Sequence, residues 1–342
     1  MAIDKINVHN DPRVQRLTAQ VNGKTYGYLL AQPENGQYKD TIFLLHGFPD
    51  LSMGWRYQIP LLISFGLRVV VPDCLGYGRT DAPQWTPENE RLYGFRKLAD
   101  DIKELAKQLG SEKIILGGHD WGAALVYRIA LYHRDLVTHL FAVCVPYIPP
   151  MPQYISHEDL VRTRLPNFAY QLQFKSGEVE KAVKTKEEIK QFLLALYGGR
   201  TEDGQWGFST EKGILFDRLG RLGSSKLLED EELNYYVDEF SRNGIHGPLN
   251  WYRTRDVNYK DELSISNPQI DIPVLMIQAL RDTALPPHMG QGMGKFVPNL
   301  IVEQVDTSHW ALWEKPGEVN AILEMWFKDV VFSVPALGGG KL

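Results

Sequence analysis

KIILGGHDWGAALVYRIALYH, residues 113–133, is the stretch on which the rest of the chain turns. It opens as an apolar run, Ile114, Ile115, Leu116, and closes on the helical spacing of Ala124, Leu125, Ile129 and Ala130. Between them stands Gly118-His119-Asp120-Trp121-Gly122, a small-x-nucleophile-x-small turn between a strand and a helix, where serine is the usual occupant. Gly118 and Gly122 suit a turn too tight for side chains, one that pushes the central residue outward just ahead of a helix N-terminus. A plain loop with Asp120 as N-cap would use the same letters. What separates the two readings is whether partners exist elsewhere and whether an aspartate at the tip makes chemical sense.

Working outward, TIFLLHG (41–47), RVVVPD (68–73) and KIILGG (113–118) read as buried strands, continuous apolar runs bounded by turn residues. Between the second and third, Phe95, Leu98, Ala99, Ile102, Leu105, Ala106 and Leu109 share one helical face, with Gly110 as the stop. The strand signal resumes at 137–146, 272–280 and 300–306, followed by an amphipathic helix at 317–330. From about Tyr147 to Ile270 it gives way to helical segments. The expected fold class is therefore α/β, of the α/β-hydrolase type: a mostly parallel central sheet flanked by helices, with an inserted helical lid. Residues 1–146 and 271–342 would form the core and 147–270 the lid, seated over the carboxyl ends of the strands where open α/β sheets bind ligands.

Composition narrows the function classes. Hydrophobic residues at 44% against 23% charged indicate an ordinary globular chain, and a net charge of −5 with scattered Lys and Arg offers no field for nucleic acid or anionic lipid. The N-terminus lacks a signal-peptide core and no apolar stretch is long enough to insert in a membrane. With Cys74 and Cys144 as the two cysteines and no Asn-x-Ser/Thr acceptor, the expectation is a cytoplasmic protein, monomer or homodimer. Gly340-Lys341-Leu342 is a weak variant of a peroxisomal address. There is no His-Glu-x-x-His, Walker loop or dinucleotide glycine pattern, so neither metal nor cofactor is expected.

The partners are present. In this fold the acid and the histidine follow the nucleophile in that order, each after a sheet strand. PVLMIQALRDTALPP puts Asp282 behind one strand, and IVEQVDTSHWALWEKP puts His309 in the loop after the next. An oxyanion hole needs two convergent backbone N–H groups: Trp121 follows the nucleophile, and LLHGFPD (44–50) offers Phe48. Pro49 has no N–H and fixes that loop's direction, and His46 reads as structural.

Aspartate at the elbow points to attack on a saturated carbon. Serine would give an ether that water cannot cleave under these conditions, whereas Asp120 would give an alkyl ester whose carbonyl belongs to the enzyme. Water activated by His309, oriented by Asp282, could then attack Asp120 itself. An epoxide leaves as an alkoxide and needs a neutral proton donor such as tyrosine; a halide needs only weak N–H donors.

Over roughly residues 20–332 the chain resembles the soluble epoxide hydrolases of the α/β-hydrolase superfamily, through HGFPD, GHDWGA, FAYQLQF (168–174), GPLNWYR (247–253), Arg281-Asp282 and SHW (308–310). The resemblance implies conversion of small apolar or aryl epoxides and water to vicinal diols. It also implies that Tyr170 and Tyr252 polarise the epoxide oxygen, and the aromatic and proline positions in these motifs place Phe48, Pro49, Trp121, Trp251 and Trp310 at the substrate pocket. The likeness is to microbial and fungal members, and the phosphatase activity of longer members is not expected. A haloalkane dehalogenase would be expected to carry Asn or Glu, or a second halide-binding tryptophan, where Phe48 stands. A fluoroacetate dehalogenase would resemble GHDRG at the elbow. A hydrolase-fold ligand receptor would have no use for the triad, and an esterase acting through Asp120 would form an anhydride.

Overall fold

The computed structural model of the protein describes residues 3–333; the tripeptide 340–342 lies outside them. Eight strands form one sheet: β1 Val14–Val21, β2 Lys24–Ala31, β3 Asp40–Leu45, β4 Leu67–Pro72, β5 Ile114–His119, β6 Val137–Val143, β7 Val274–Ala279 and β8 Leu300–Val305. Their order is β1-β2-β4-β3-β5-β6-β7-β8. The first two pairs, β1–β2 and β2–β4, are antiparallel and the remaining five are parallel. Every residue of β4, β5 and β7 is buried, as strands covered on both faces require, and their unbroken apolar runs follow from that. This is the mostly parallel sheet expected.

The β1–β2 hairpin was not anticipated. Its turn is Asn22-Gly23 with φ of 48° and 79°, the left-handed pair favoured in two-residue hairpins. That signal stands in the sequence and was passed over.

Helix α1, Phe95–Gln108, buries the apolar face expected of it. Helix α2, Trp121–Tyr132, packs on α1 and β5 and is buried at most of its positions, which explains why its sequence is apolar nearly all round. Between β6 and β7 run α3 His157–Thr163, α4 Tyr170–Ser176, α5 Lys186–Leu196, α6 Asp230–Asn243 and α7 Arg255–Glu262. The expectation of helices alone is corrected by a small antiparallel pair, Phe208–Ser209 with Gly213–Ile214, inserted between α5 and α6. Helix α8, Pro316–Trp326, continues as a wider turn over Phe327–Val331.

The polar ties from the α3–α7 segment go to loops that follow the carboxyl ends of strands. Trp251 Nε1 donates to the Leu75 carbonyl at 2.9 Å, Trp310 Nε1 donates to the Leu196 carbonyl at 3.1 Å, and the Tyr197 hydroxyl donates to the Pro49 carbonyl. Arg56, fully buried behind the β3 loop, pairs with Glu232 of α6 at 2.7 Å, and its guanidinium lies 4.9 Å from the ring centre of Trp313. No described helix is long and apolar enough to cross a membrane.

Candidate active site

Asp120 sits at φ 52°, ψ −125°, a conformation that costs a non-glycine residue about 1–3 kcal/mol and persists only when the surroundings impose it. Here they do. A Cβ on Gly122 would lie 2.1 Å from the Leu45 carbonyl oxygen, and one on Gly118 2.6 Å from that of Gly122. Asp120 precedes α2, yet its side chain makes no capping bond. Instead the Phe48 N–H donates to Oδ1 at 2.7 Å and the Trp121 N–H also bonds the carboxylate. The plain-loop reading of GGHDWG therefore fails. Of the two backbone donors expected of an oxyanion hole, the Phe48 N–H stands on the aspartate's own Oδ1.

Asp282, in the turn after β7, accepts the Ala284 and Leu285 N–H groups on Oδ1, each at 2.9 Å. Its Oδ2 receives the Nδ1–H of His309 at 2.7 Å. The other nitrogen of that ring, Nε2, lies 3.5 Å from Asp120 Oδ2. The His309 main chain is pinned as well: His119 Nε2 donates to its carbonyl at 2.9 Å and the Cys144 thiol donates at 3.3 Å. His119, Cys144 and His309 lie close enough together to suggest a metal cluster. The chemistry of the set argues otherwise. His119 Nε2 and the Cys144 thiol both donate to the His309 carbonyl, and His309 Nδ1 donates to Asp282, so these atoms are already engaged with one another's chain and not with a common centre.

Burial pushes the Asp120 carboxyl above its ordinary range, opposed by His309 and by the Phe48 and Trp121 N–H groups. Desolvation is the largest effect on it, so the net shift is upward despite the helix N-terminus behind it. Burial also works against charge on His309, but Asp282, by charge and hydrogen bond, and then Asp120 outweigh it and raise the pKa to about 9. Asp282 is desolvated too, yet His309 and two backbone N–H groups hold it below the usual value.

A cavity of about 230 Å³ opens from Asp120, just below the usual 300–1,000 Å³ of small-molecule sites. Tyr170, at the first turn of α4, and Tyr252, in the short turn Trp251–Arg253, both line it, their ring centres 6.1 Å apart. Burial raises both phenol pKa values, so each hydroxyl is a neutral donor. Gln171 Nε2 donates to the Tyr170 oxygen at 3.2 Å, and His157 Nε2 donates to Gln171 Oε1 at 2.7 Å. Trp121 and Trp251 are part of the cavity wall. Phe48, Pro49 and Trp310 are not, which corrects the expected pocket. Phe48 packs edge-on beneath Tyr252, ring centres 5.0 Å apart, and Trp310 is drawn behind His309 by stacking on Trp313 at 4.4 Å.

His119, Cys144, His157 and Gln171 were not read from the sequence as site residues, and Asp50 was missed as well. Asp50 accepts the Tyr236 hydroxyl at 2.7 Å while its other oxygen has no partner, and burial pushes its pKa up to about 7. His119 and Asp50 stood inside motifs already quoted. Gln171 stood in FAYQLQF beside Tyr170, whereas His157 carried no signal, since a helix packing across another element is what joins the two.

The α/β hydrolase fold family model matches residues 40–316. The chain is 41% identical over 340 residues to epoxide hydrolase srdG of Neurospora crassa, covering 94% of this chain and 98% of that protein. It is 34% identical to the bifunctional epoxide hydrolase 2 of Rattus norvegicus over 91% of this chain, but spans only 56% of that longer protein. Among solved structures, an epoxide hydrolase from Vigna radiata, VrEH1, matches with a TM-score of 0.77 at 25% identity, covering 93% of this chain and 99% of that one.

Proposed function

The chain belongs to the α/β-hydrolase fold family and, within it, to the epoxide hydrolases, and from that membership we propose that it opens epoxides through a covalent ester on Asp120. Residues 147–270 act as a lid over a core built from 1–146 and 271–342. In the first step Asp120 Oδ2 attacks one ring carbon, the carbon–oxygen bond of the ring breaks, and Tyr170 and Tyr252 donate hydrogen bonds and a proton to the departing oxygen. Gln171 occupies a lone pair of the Tyr170 oxygen, which leaves the Tyr170 proton to be offered elsewhere, toward the cavity.

In the second step water attacks Cγ of Asp120, giving up a proton to His309 Nε2. The tetrahedral oxyanion forms on Oδ1, where the Phe48 N–H already stands and the Trp121 N–H would join it; one such donor is typically worth about 3–4 kcal/mol of barrier. Collapse breaks the Cγ–Oδ2 bond; the diol leaves with the former Oδ2, which takes the proton from His309, the water oxygen stays on Asp120, and the water's second proton, lost as Asp120 returns to carboxylate, restores the tyrosine that protonated the ring oxygen. The protonation of His309 fits this order. With Asp120 ionised the imidazole holds its proton up to about pH 9, and esterification removes that negative charge, lowering the pKa and readying the ring as a base.

One observation carries the reading: the Phe48 N–H, a donor expected of the oxyanion hole, stands 2.7 Å from the nucleophile's own carboxylate oxygen. A site that attacks a substrate's carbonyl has no reason to place it there. A single turnover in heavy-oxygen water, with enzyme in excess over styrene oxide, tests it. The expected result is unlabelled diol and label within the peptide carrying Asp120; label in the first diol and none in the peptide would exclude the ester.

A further inference from the structure

The cavity is apolar along most of its length, yet one cation in its wall has no charged partner. Arg255 lines the same cavity as Asp120. Its Nε–H donates to the Ile155 carbonyl at 2.6 Å and its Nη2 touches the Met151 sulfur at 3.6 Å; among the described residues it pairs with no carboxylate. The nearest acid in the wall, Glu262, is taken up by Arg128 at 2.8 Å. With Nε committed, the Nη1–Nη2 edge of the guanidinium remains, two parallel donors of the spacing that a carboxylate accepts.

Position gives this edge a meaning. Tyr252 and Arg255 are three residues apart in one continuous helical run, Trp251–Arg253 into α7, so they share a face about one turn apart. Arg255 contacts Met151 and Ile155, beside Tyr154, which lines the cavity and is 46% exposed, whereas Tyr252 and Tyr170 are buried deep within it. The arginine thus stands between the mouth and the chemistry. Arg255 is only partly buried, so a ligand anion reaching it past Tyr154 meets a half-desolvated guanidinium that no carboxylate of the described residues engages directly.

We infer that Arg255 is the anchor for an anionic substituent, and that this chain selects compact epoxides carrying a carboxylate a short distance from the ring. This rests on the epoxide-opening reading above and narrows its substrate class. The Met151 thioether and the aromatic wall would desolvate the pair, and Arg255 would orient the epoxide by holding its far end.

The test compares 4-(oxiran-2-yl)benzoate with styrene oxide on the full chain, wild type and Arg255→Met. The wild type should favour the carboxylate in kcat/KM by about 10–100-fold, mostly through KM, as a charge-assisted pair implies. In the variant that ratio should collapse toward one, with the neutral epoxide losing far less than the charged one. Equal kcat/KM for the two substrates in the wild type, or an unchanged ratio in a folded variant, would overturn the anchor. A turnover-free arm separates this from the chemistry: quenching of cavity tryptophan fluorescence by 3-phenylpropanoate and by 3-phenylpropanamide. Tighter binding of the acid in the wild type, lost in Arg255→Met, supports the anchor even if neither epoxide yields diol, a result that would sink the reaction alone. Equal binding of acid and amide by the wild type overturns the anchor whatever the turnover.

Discussion

Asp120 and His309 face each other at 3.5 Å, and in the proposed reaction the charge on each would decide which step the pair performs. Removing the nucleophile stops the sequence at its start: freshly made Asp120→Asn should form no diol in the first minutes of an assay, and full initial activity would refute its role. Removing the base stops it halfway. His309→Gln should accumulate an adduct of enzyme plus one epoxide, seen by intact mass spectrometry after mixing, with peptide mapping placing it on Asp120. Protonation also links His309 to stability. Its folded pKa of about 9 lies above the ordinary 6.5, so the native state favours the charged ring. That contribution is complete below about pH 6.5 and disappears as pH rises through about 9. The melting temperature should therefore decline across this window in the wild type and be flatter in His309→Gln; equal slopes would show that the pair does not hold its proton this way.

At the scale of elements, α3 and α4 are joined by the chain from His157 through Gln171 to Tyr170, and in the proposed ring opening Gln171 would set where the Tyr170 proton goes. Gln171→Leu frees that hydroxyl to turn. The loss of one such bond is worth about 0.5–1.5 kcal/mol, so ring opening should slow up to about tenfold. In a Tyr170→Phe background the same change should add almost nothing, and additive losses in single-turnover rates would disprove the coupling. This pairing was invisible in the sequence because it depends on how two short helices pack. The strands were legible for the opposite reason: sheet burial on both faces forces unbroken apolar runs such as Ile42–Leu45 and Val69–Val71, which announce themselves locally. β1 escaped because it is half exposed and mixed in polarity, so only its Asn22-Gly23 turn marked it. The places of Asp120, Asp282 and His309, which the fold brings together, could be read because each follows a strand in a fixed order, whereas the cavity wall, with Trp310 outside it and Arg255 in it, depends on tertiary packing that no spacing encodes.

For the molecule as a whole, the question is whether the α3–α7 segment swings freely or is fixed to the sheet. The ties favour fixation. Arg56 and Glu232 meet at 2.7 Å with both side chains almost fully buried, Tyr236 reaches Asp50, and Tyr197 reaches the Pro49 carbonyl beside the oxyanion donor Phe48. The loop that holds Oδ1 of Asp120 is thus braced from the α5–α6 side, and loosening that side should be felt at the nucleophile. A buried ion pair gains little over apolar residues that fill the same space, but a lone buried charge is expensive. Arg56→Met alone should thus leave Glu232 uncompensated, Lys5 at 3.0 Å relieving it only partly, and destabilise the protein by about 3–5 kcal/mol. Arg56→Met combined with Glu232→Leu should recover most of that loss, which urea unfolding of the two variants would measure. If the double variant is as unstable as the single one, the cost lies in packing around Trp313 and not in stranded charge. Recovery of stability without recovery of turnover would mean that charge pairing, beyond filling space, sets the Phe48 N–H against Asp120.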